Sequence, residues 1–126
     1  MNAGRRGFTL VELMIAIAII GLLAVMAFPL YAKVRQTAVR GTVKNDAVEV
    51  TAAAQRYCMD KGETVVPLSV IVNSSDGYVK QLTRGNTINV TSMWVDSSFT
   101  FEIGNPLLAA GGITFDAEGH VVSDPY

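Results

Sequence analysis

The chain is organised around a short stretch near its start, Gly7-Phe8-Thr9-Leu10-Val11-Glu12, which opens a long apolar run. Arg5 and Arg6 precede this stretch, and Glu12 is the single charged residue within residues 7–32. As a helix, residues 8–32 would be about 37 Å long, whereas the hydrocarbon core of a bilayer is roughly 30 Å thick. The run therefore predicts a transmembrane helix.

A secretory signal peptide is the alternative explanation of an apolar run close to the start of a chain. The apolar region of a signal peptide is shorter, at roughly 7–15 residues, and small residues follow it at the cleavage site. The run in this chain is longer and continues into helix-like sequence at Lys33. Arg5 and Arg6 predict a cytoplasmic N-terminus, which would place the residues after the span outside the cytoplasm.

The same stretch resembles the N-terminus of the type IV pilin family. In that family a short basic leader ends in Gly, the first mature residue is Phe and the fifth mature residue is Glu. Gly7, Phe8 and Glu12 match these three positions. The resemblance implies that residues 1–7 are a leader, which a prepilin peptidase removes after Gly7 before it methylates the amine of Phe8. It also implies that residues 8–32 form the helix through which subunits polymerise.

Glu12 needs a physical explanation, because a carboxylate at the centre of a membrane span costs on the order of 3 kcal/mol. One explanation is that Glu12 lies only one turn into the helix and reaches back to the membrane surface. The resemblance implies a second explanation, in which Glu12 pairs with the free amine of Phe8 in a neighbouring subunit. On that explanation, a buried charge that has no partner attracts the next subunit and sets its position along the stack of helices.

Small residues and a proline follow Glu12 within the span. Ala18, Gly21, Ala24 and Ala27 recur every three residues, and small side chains allow apolar helices to approach closely. Chance alanine content is an equally good explanation of this row. Pro29 removes one intrahelical hydrogen bond and predicts a kink, and Gly21 weakens the same region. The resemblance implies that Gly21 and Pro29 bracket a stretch that loses helicity in the assembled fibre.

Residues 33–61 predict an amphipathic continuation of the helix. Apolar residues fall at spacings of three and four and define one face: Val39, Val43, Ala47, Val50, Ala54 and Tyr57. Charged residues are predicted to lie largely away from that face: Lys44, Asp46, Glu49 and Arg56. Gly62 predicts the end of the helix as a C-terminal cap after Lys61. Residues 8–61 would thus form one helix of roughly 80 Å.

The remaining residues predict a loop followed by an antiparallel sheet of about four strands. Residues 62–86 match the variable loop of pilins and include a turn-like segment over residues 73–77. Within residues 87–126, alternating apolar residues predict strands over 88–94 and 99–103, with a hairpin turn at 96–98. Short apolar segments over 113–115 and 120–122, separated by a turn at 116–119, predict a third and a fourth strand. The predicted fold is α+β, with the long helix packed against the sheet. Two glycosylation sequons, at Asn73 and Asn89, are best explained by chance.

The sequence shows no catalytic or phosphate-binding motif and predicts neither an enzyme nor a cofactor. The net charge is −1, which does not suggest a nucleic-acid binder, because such proteins normally carry a clustered basic face. Many pilins close a C-terminal loop with two cysteines, but Cys58 is alone here. Something else must therefore hold that segment, for example packing or a metal. Burial in the core is the favoured explanation of Cys58, with an intersubunit disulfide as the alternative. The acidic residues Asp116, Glu118 and Asp124 could hold calcium through their carboxylate oxygens, but a solvated turn is the favoured explanation. His120 is best explained as a surface histidine.

The prediction is therefore a structural subunit of a type IV pilus, held in the inner membrane as a precursor and then added to a surface filament by an assembly ATPase and its platform. Adhesion, twitching motility and DNA uptake remain open as roles of that filament. Two alternatives remain: a pseudopilin of a type II secretion system, and a single-span membrane protein with a periplasmic binding domain.

Overall fold

The computed structural model describes residues 7–72, 78–79, 81–90, 92–94 and 98–126. These residues belong to two compact units, Met1–Arg35 and Gln36–Tyr126, which are treated separately below. Arg5 and Arg6, the predicted turn over residues 73–77 and most of the predicted turn over residues 96–98 lie outside the described residues.

The described elements are two helices and six strands. In chain order they are α1 (Leu10–Lys61), β1 (Val65–Pro67), α2 (Leu68–Ile71), β2 (Thr87–Ile88), β3 (Ser92–Trp94), β4 (Thr100–Gly104), β5 (Ile113–Asp116) and β6 (Val121–Ser123). The predicted α+β fold class, with a long first helix followed by antiparallel strands, is confirmed.

In the second unit, α1 buries one face in the hydrophobic core. Its buried residues are Val43, Asp46, Ala47, Val50, Thr51, Ala53, Ala54 and Tyr57, and Val39 packs partly against them. The predicted apolar face is therefore confirmed. The predicted end of the helix is confirmed as well, because Gly62 has a φ of 72° and its N–H donates to the carbonyl oxygen of Cys58 at 2.8 Å.

The main sheet has four antiparallel strands in the order β2-β4-β5-β6. Along β4 and β5 buried and less buried residues alternate, as expected of strands with one face on a core. Phe101 pairs with Phe115, and Ile103 pairs with Ile113. These four side chains are buried and join the α1 residues in one hydrophobic cluster. The sheet and α1 thus share a core, as the sequence predicts.

A single strand over residues 88–94, however, is a wrong prediction. Thr87 and Ile88 pair with β4, but residues 92–94 pair with β1 in a separate two-stranded sheet. The register places Val66 opposite Met93, and both side chains are almost fully buried. Burial of this apolar pair is the physical reason that the chain changes partner. The predicted variable loop over residues 62–86 accordingly contains β1 and α2.

The prediction that Asp46 lies away from the buried face is also wrong, because its exposed fraction is only 4%. Its carboxylate accepts hydrogen bonds from the Thr83 N–H at 2.8 Å, the Thr83 hydroxyl at 2.7 Å and the Asn86 amide at 2.7 Å. The Asn86 side-chain oxygen accepts a further bond from Asn105 at 2.6 Å. The segment after residue 80 therefore covers Asp46 and fastens the loop to α1.

Candidate functional site

The first turn of α1 is closed by reciprocal hydrogen bonds between Thr9 and Glu12. The Thr9 hydroxyl accepts from the Glu12 N–H at 3.2 Å, while the Glu12 Oε2 accepts from the Thr9 N–H at 2.8 Å and from the Thr9 hydroxyl at 2.7 Å. This is a capping box, in which each residue satisfies a backbone donor that the helix leaves unpaired. The helix begins at Leu10 rather than at the predicted Phe8 because Thr9 is its cap.

Thr9 is thus a site residue that the sequence analysis missed, although the signal was present. A Thr followed three residues later by Glu, just before an apolar run, is typical of a capping box. The capping box holds the carboxylate of Glu12 at the start of the helix. Phe8, immediately before it, has 83% of its surface exposed.

The first unit exposes an almost entirely apolar surface. All residues from 7 to 35 are exposed except Ala24, which is half-buried. Large side chains such as Leu10 and Phe28 are each about three-quarters exposed, at 75% and 74%. By length and composition α1 could cross a membrane. So much exposed apolar surface requires an apolar environment, in a bilayer or against other chains.

Gly21 and Pro29 both lie inside α1, which is continuous through them. A Cβ at Gly21 would meet nothing within 4 Å, so no contact among the residues that the structure describes requires glycine there. Next to Pro29, the side chains of Ala24, Ala27, Phe28 and Tyr31 line an apolar groove of about 310 Å³. The predicted row of small residues thus borders a groove on the exposed helix.

Comparison with known proteins identifies the family of this chain. A family model described as the prokaryotic N-terminal methylation motif matches residues 2–28. Fimbrial protein Q of Moraxella bovis is 35% identical over 121 residues, which cover 93% of this chain and 69% of that protein. The chain belongs to the type IV pilin family. The matched residues include Glu12 and much of the exposed apolar part of α1.

Other relatives of this pilin have similar names. The type IV major fimbrial protein FimA of Dichelobacter nodosus is 38% identical over 79 residues, covering 60% of this chain and 49% of that protein. A fimbrial protein of Neisseria meningitidis serogroup B is 32% identical over 108 residues, covering 82% of this chain and 63% of that protein. This pilin therefore spans between about half and two-thirds of the length of these relatives. No solved structure matches it significantly.

Residues 124–126 of this pilin are fastened to α1 by charge. Asp124 Oδ2 accepts from the Arg40 guanidinium at 2.5 Å and lies 3.1 Å from the Lys44 ammonium. The Arg40 guanidinium also donates to the main-chain oxygen of Tyr126 at 3.3 Å and lies 5.5 Å from the centre of its ring. We call the group of Arg40, Lys44, Asp124 and Tyr126 the Arg40 clasp.

The Tyr126 hydroxyl extends the Arg40 clasp to the loop before β5. It accepts a hydrogen bond from the Ala110 N–H at 2.7 Å and donates one to the Gly111 carbonyl oxygen at 2.9 Å. The clasp thus supplies the fastening that the sequence analysis assigned to packing or a metal. The carboxylate of Asp124, which the sequence analysis considered together with Asp116 and Glu118, pairs with the two cations of α1.

The Arg40 clasp should weaken in acid. The hydrogen bond from Arg40 holds the pKa of Asp124 below its ordinary value, with help from Lys44, although burial acts in the opposite direction. Because the pKa is lowered by folding, Asp124 stabilises the fold above the ordinary Asp pKa of about 4, and this contribution is lost as the pH falls through the lower value.

We therefore expect Asp124→Asn to lower the free energy of unfolding by about 1–2 kcal/mol at pH 7. The measurement is urea unfolding of the detergent-solubilised chain, repeated from pH 7 to pH 2. The difference from the unmodified chain should shrink below about pH 4. A difference that stays constant over this range would contradict the prediction.

The turn between β5 and β6 holds Asp116, Glu118 and His120, whose ligand atoms lie within 4.8 Å of one another. Asp116 Oδ1 accepts from the N–H groups of Glu118 at 3.1 Å and His120 at 2.7 Å, and its Oδ2 lies 3.3 Å from the His120 ring nitrogen. Burial tends to raise the pKa of Asp116, but the bonds from His120 and Glu118 outweigh it and lower the pKa. The carboxylate therefore closes the turn.

This turn packs against α1 through Gly119, which has a φ of 87°. A Cβ there would lie 2.8 Å from the Thr51 hydroxyl and 3.5 Å from the Cα of Val48. Both the backbone conformation and the close approach therefore require glycine.

Cys58 is half-buried and packs against the core. Burial raises the pKa of its thiol, and the Glu63 carboxylate adds to the rise. A raised pKa lowers the thiolate fraction at neutral pH, and the thiolate is the reactive form. We therefore expect iodoacetamide to alkylate Cys58 at least several-fold more slowly than free cysteine at pH 7.4, as measured by intact mass. Alkylation in urea should proceed at the ordinary rate, and equal rates with and without urea would contradict the prediction.

Proposed function

We propose that this pilin is the structural subunit of a surface filament that polymerises through residues 8–32. The observation that carries the proposal is the exposed apolar part of α1. It begins at a capped acidic turn and belongs to a chain related to fimbrial proteins. An exposed helix of this kind fits a bilayer before assembly and neighbouring helices after it. The role is structural and needs no catalytic group.

Processing prepares the helix for assembly in this proposal. A prepilin peptidase cuts after Gly7 and methylates the new amine of Phe8, and an assembly ATPase with its platform moves the subunit from the inner membrane into the filament. Support comes from the matched methylation motif and from Gly7 and Phe8, which are exposed and precede the helix. The filament would serve adhesion, twitching motility or DNA uptake.

Glu12 guides assembly in this proposal by pairing with the amine of Phe8 on the neighbouring subunit. Gly21 and Pro29 then give the helix a stretch with weaker backbone hydrogen bonding, because proline removes one bond and glycine lowers helix propensity. Such a stretch would let the packed helices lose helicity locally and the filament extend. The groove beside Pro29 is open to receive side chains of another helix.

The test of this proposal is the N-terminus of the protein in two fractions. We expect sheared surface filaments to consist mainly of a chain that starts at methylated Phe8, as determined by intact mass and N-terminal sequencing. Cleaved protein confined to the membrane fraction would contradict a surface filament and favour a secretion pseudopilin. An intact start at Met1 in both fractions would contradict processing altogether.

A further inference from the structure

The apolar groove beside Pro29 ends at a cation on the same face of α1. Three of its lining residues, Ala24, Phe28 and Tyr31, follow one another at steps of four and three. Arg35 comes four residues after Tyr31 and is exposed. At about 100° per residue, these four side chains lie within about 60° of one another around the helix axis. Side chains on a helix lean towards its N-terminus, so Arg35 leans towards the groove.

The charge of Arg35 has no counterpart nearby in the chain. No acidic residue lies between Glu12 and Asp46. The Arg40 clasp occupies the next two cations along the sequence, but none of the residues that the structure describes forms an ion pair with Arg35. Basic residues beside a span normally lie on the cytoplasmic side, whereas the predicted topology places Arg35 on the outer side. Membrane insertion therefore does not account for this charge, which points to an anionic partner outside the chain.

The spacing along the groove matches one leaflet of a bilayer. Ala24 and Arg35 are 11 residues apart within α1, a rise of about 16 Å. One leaflet contributes about half of a hydrocarbon core that is roughly 30 Å thick. Arg35 lies about 6 Å beyond Tyr31 along the axis, which is about the depth of one headgroup layer. Tyrosine is typical of the boundary between the two layers. A lipid whose headgroup meets Arg35 would therefore have an acyl chain as long as the groove.

We propose that the groove and Arg35 bind one anionic phospholipid of the outer leaflet, an inference that rests on the proposed membrane-held precursor. The acyl chain lies along the apolar lining, and the phosphate accepts hydrogen bonds from the guanidinium of Arg35, whose planar fork matches phosphate oxygens. A lipid with net negative charge fits better than a zwitterionic one, because its headgroup carries no cation to repel the guanidinium. In the proposed function the groove later receives side chains of another helix, so the lipid leaves when the subunit is added to the filament.

The test is native mass spectrometry of the full-length subunit, released from nanodiscs that contain equal amounts of phosphatidylglycerol and phosphatidylcholine. We expect the subunit to retain phosphatidylglycerol about tenfold more often than phosphatidylcholine, because the former pairs with a charged donor without repulsion. Arg35→Gln should remove this preference, because glutamine keeps a polar side chain and loses the charge. Ala24→Leu fills the groove and keeps the charge, so it should lower the retention of phosphatidylglycerol by about threefold or more.

Lys33→Gln is the matched control. It removes the same charge two residues away, about 160° around the helix from Arg35, and should leave the preference within about twofold. Equal retention of the two lipids by the unmodified chain would overturn the inference. Equal losses in Lys33→Gln and Arg35→Gln would also overturn it, since the attraction would then be a general effect of charge. Unchanged retention in Ala24→Leu would show that the acyl chain does not lie in the groove.

This assay separates the lipid site from the proposed function. It uses single subunits in a bilayer and requires no filaments. A chain that binds phosphatidylglycerol as expected but forms no surface filaments would contradict the proposed function alone. A chain that forms filaments but shows no lipid preference would contradict the lipid site alone.

Discussion

Glu12→Gln should nearly abolish filaments while leaving the subunit inserted, cleaved and folded. The amide preserves the shape of the side chain and still accepts the hydrogen bond from the Thr9 N–H, since Gln serves in a capping box as well as Glu. What it removes is the charge proposed to pair with the amine of the neighbouring Phe8. Breaking a buried charge pair costs about 3–5 kcal/mol, which is roughly a hundredfold or more in the equilibrium for adding one subunit.

Thr9→Ala is the matched control, because it removes the cap and keeps the charge. Loss of an N-cap costs about 1 kcal/mol, so the loss of filaments should be much smaller than in Glu12→Gln. The measurement is the ratio of sheared filament to membrane-bound subunit in each strain. Equal filament yields from Glu12→Gln and the unmodified protein would show that the charge does not guide assembly, and a larger loss in Thr9→Ala would assign the effect to the cap.

Asp46→Ala should destabilise the second unit by about 3–4 kcal/mol. The substitution removes the carboxylate that accepts three hydrogen bonds. The Thr83 N–H and the Asn86 side-chain amide then lose this acceptor while remaining largely shielded from water. A buried donor left without its partner costs about 1–3 kcal/mol, and more when the lost partner is charged. Urea unfolding of the solubilised chain at pH 7, followed by circular dichroism, measures the effect.

Two variants control for other causes. Glu49→Ala, on an exposed position of the same helix, should change the free energy of unfolding by less than about 0.5 kcal/mol. Thr83→Ala removes the hydroxyl bond but keeps the backbone bond, so it should cost about 1 kcal/mol. If Asp46→Ala were no more harmful than Glu49→Ala, the buried network would not hold the loop on α1.

Local signals in the sequence predicted much of the fold. The helix length follows from unbroken periodicity, its end from Gly62, and strand β4 from clean alternation of apolar residues. Strands β5 and β6 follow from short apolar segments on either side of a predicted turn. These features depend on neighbours within a few residues. The prediction of a single strand over residues 88–94 is wrong because the two ends of this segment pair with different strands, β4 and β1. Pairing between residues far apart in the chain leaves no local signal in the sequence.

The residues of the candidate site also divide into those with a local signal in the sequence and those without one. Glu12 was predicted, and Thr9 was missed despite a local pattern that the sequence contains. The Arg40 clasp joins Arg40 to Asp124 and Tyr126 across more than eighty residues. No spacing rule connects residues so far apart. Asp46 was misjudged for the same reason, because its partners Thr83 and Asn86 reach it only after the chain folds back.

The Arg40 clasp also affects where this subunit can mature. The clasp is held by hydrogen bonds, an ion pair and a ring contact. Cys58 is the only cysteine in the 126 residues, so no disulfide forms within this sequence. Folding of the second unit therefore requires no oxidant and no enzyme that makes or exchanges disulfides. Reducing agents therefore have no disulfide within these residues to break, and the Arg40 clasp holds without one.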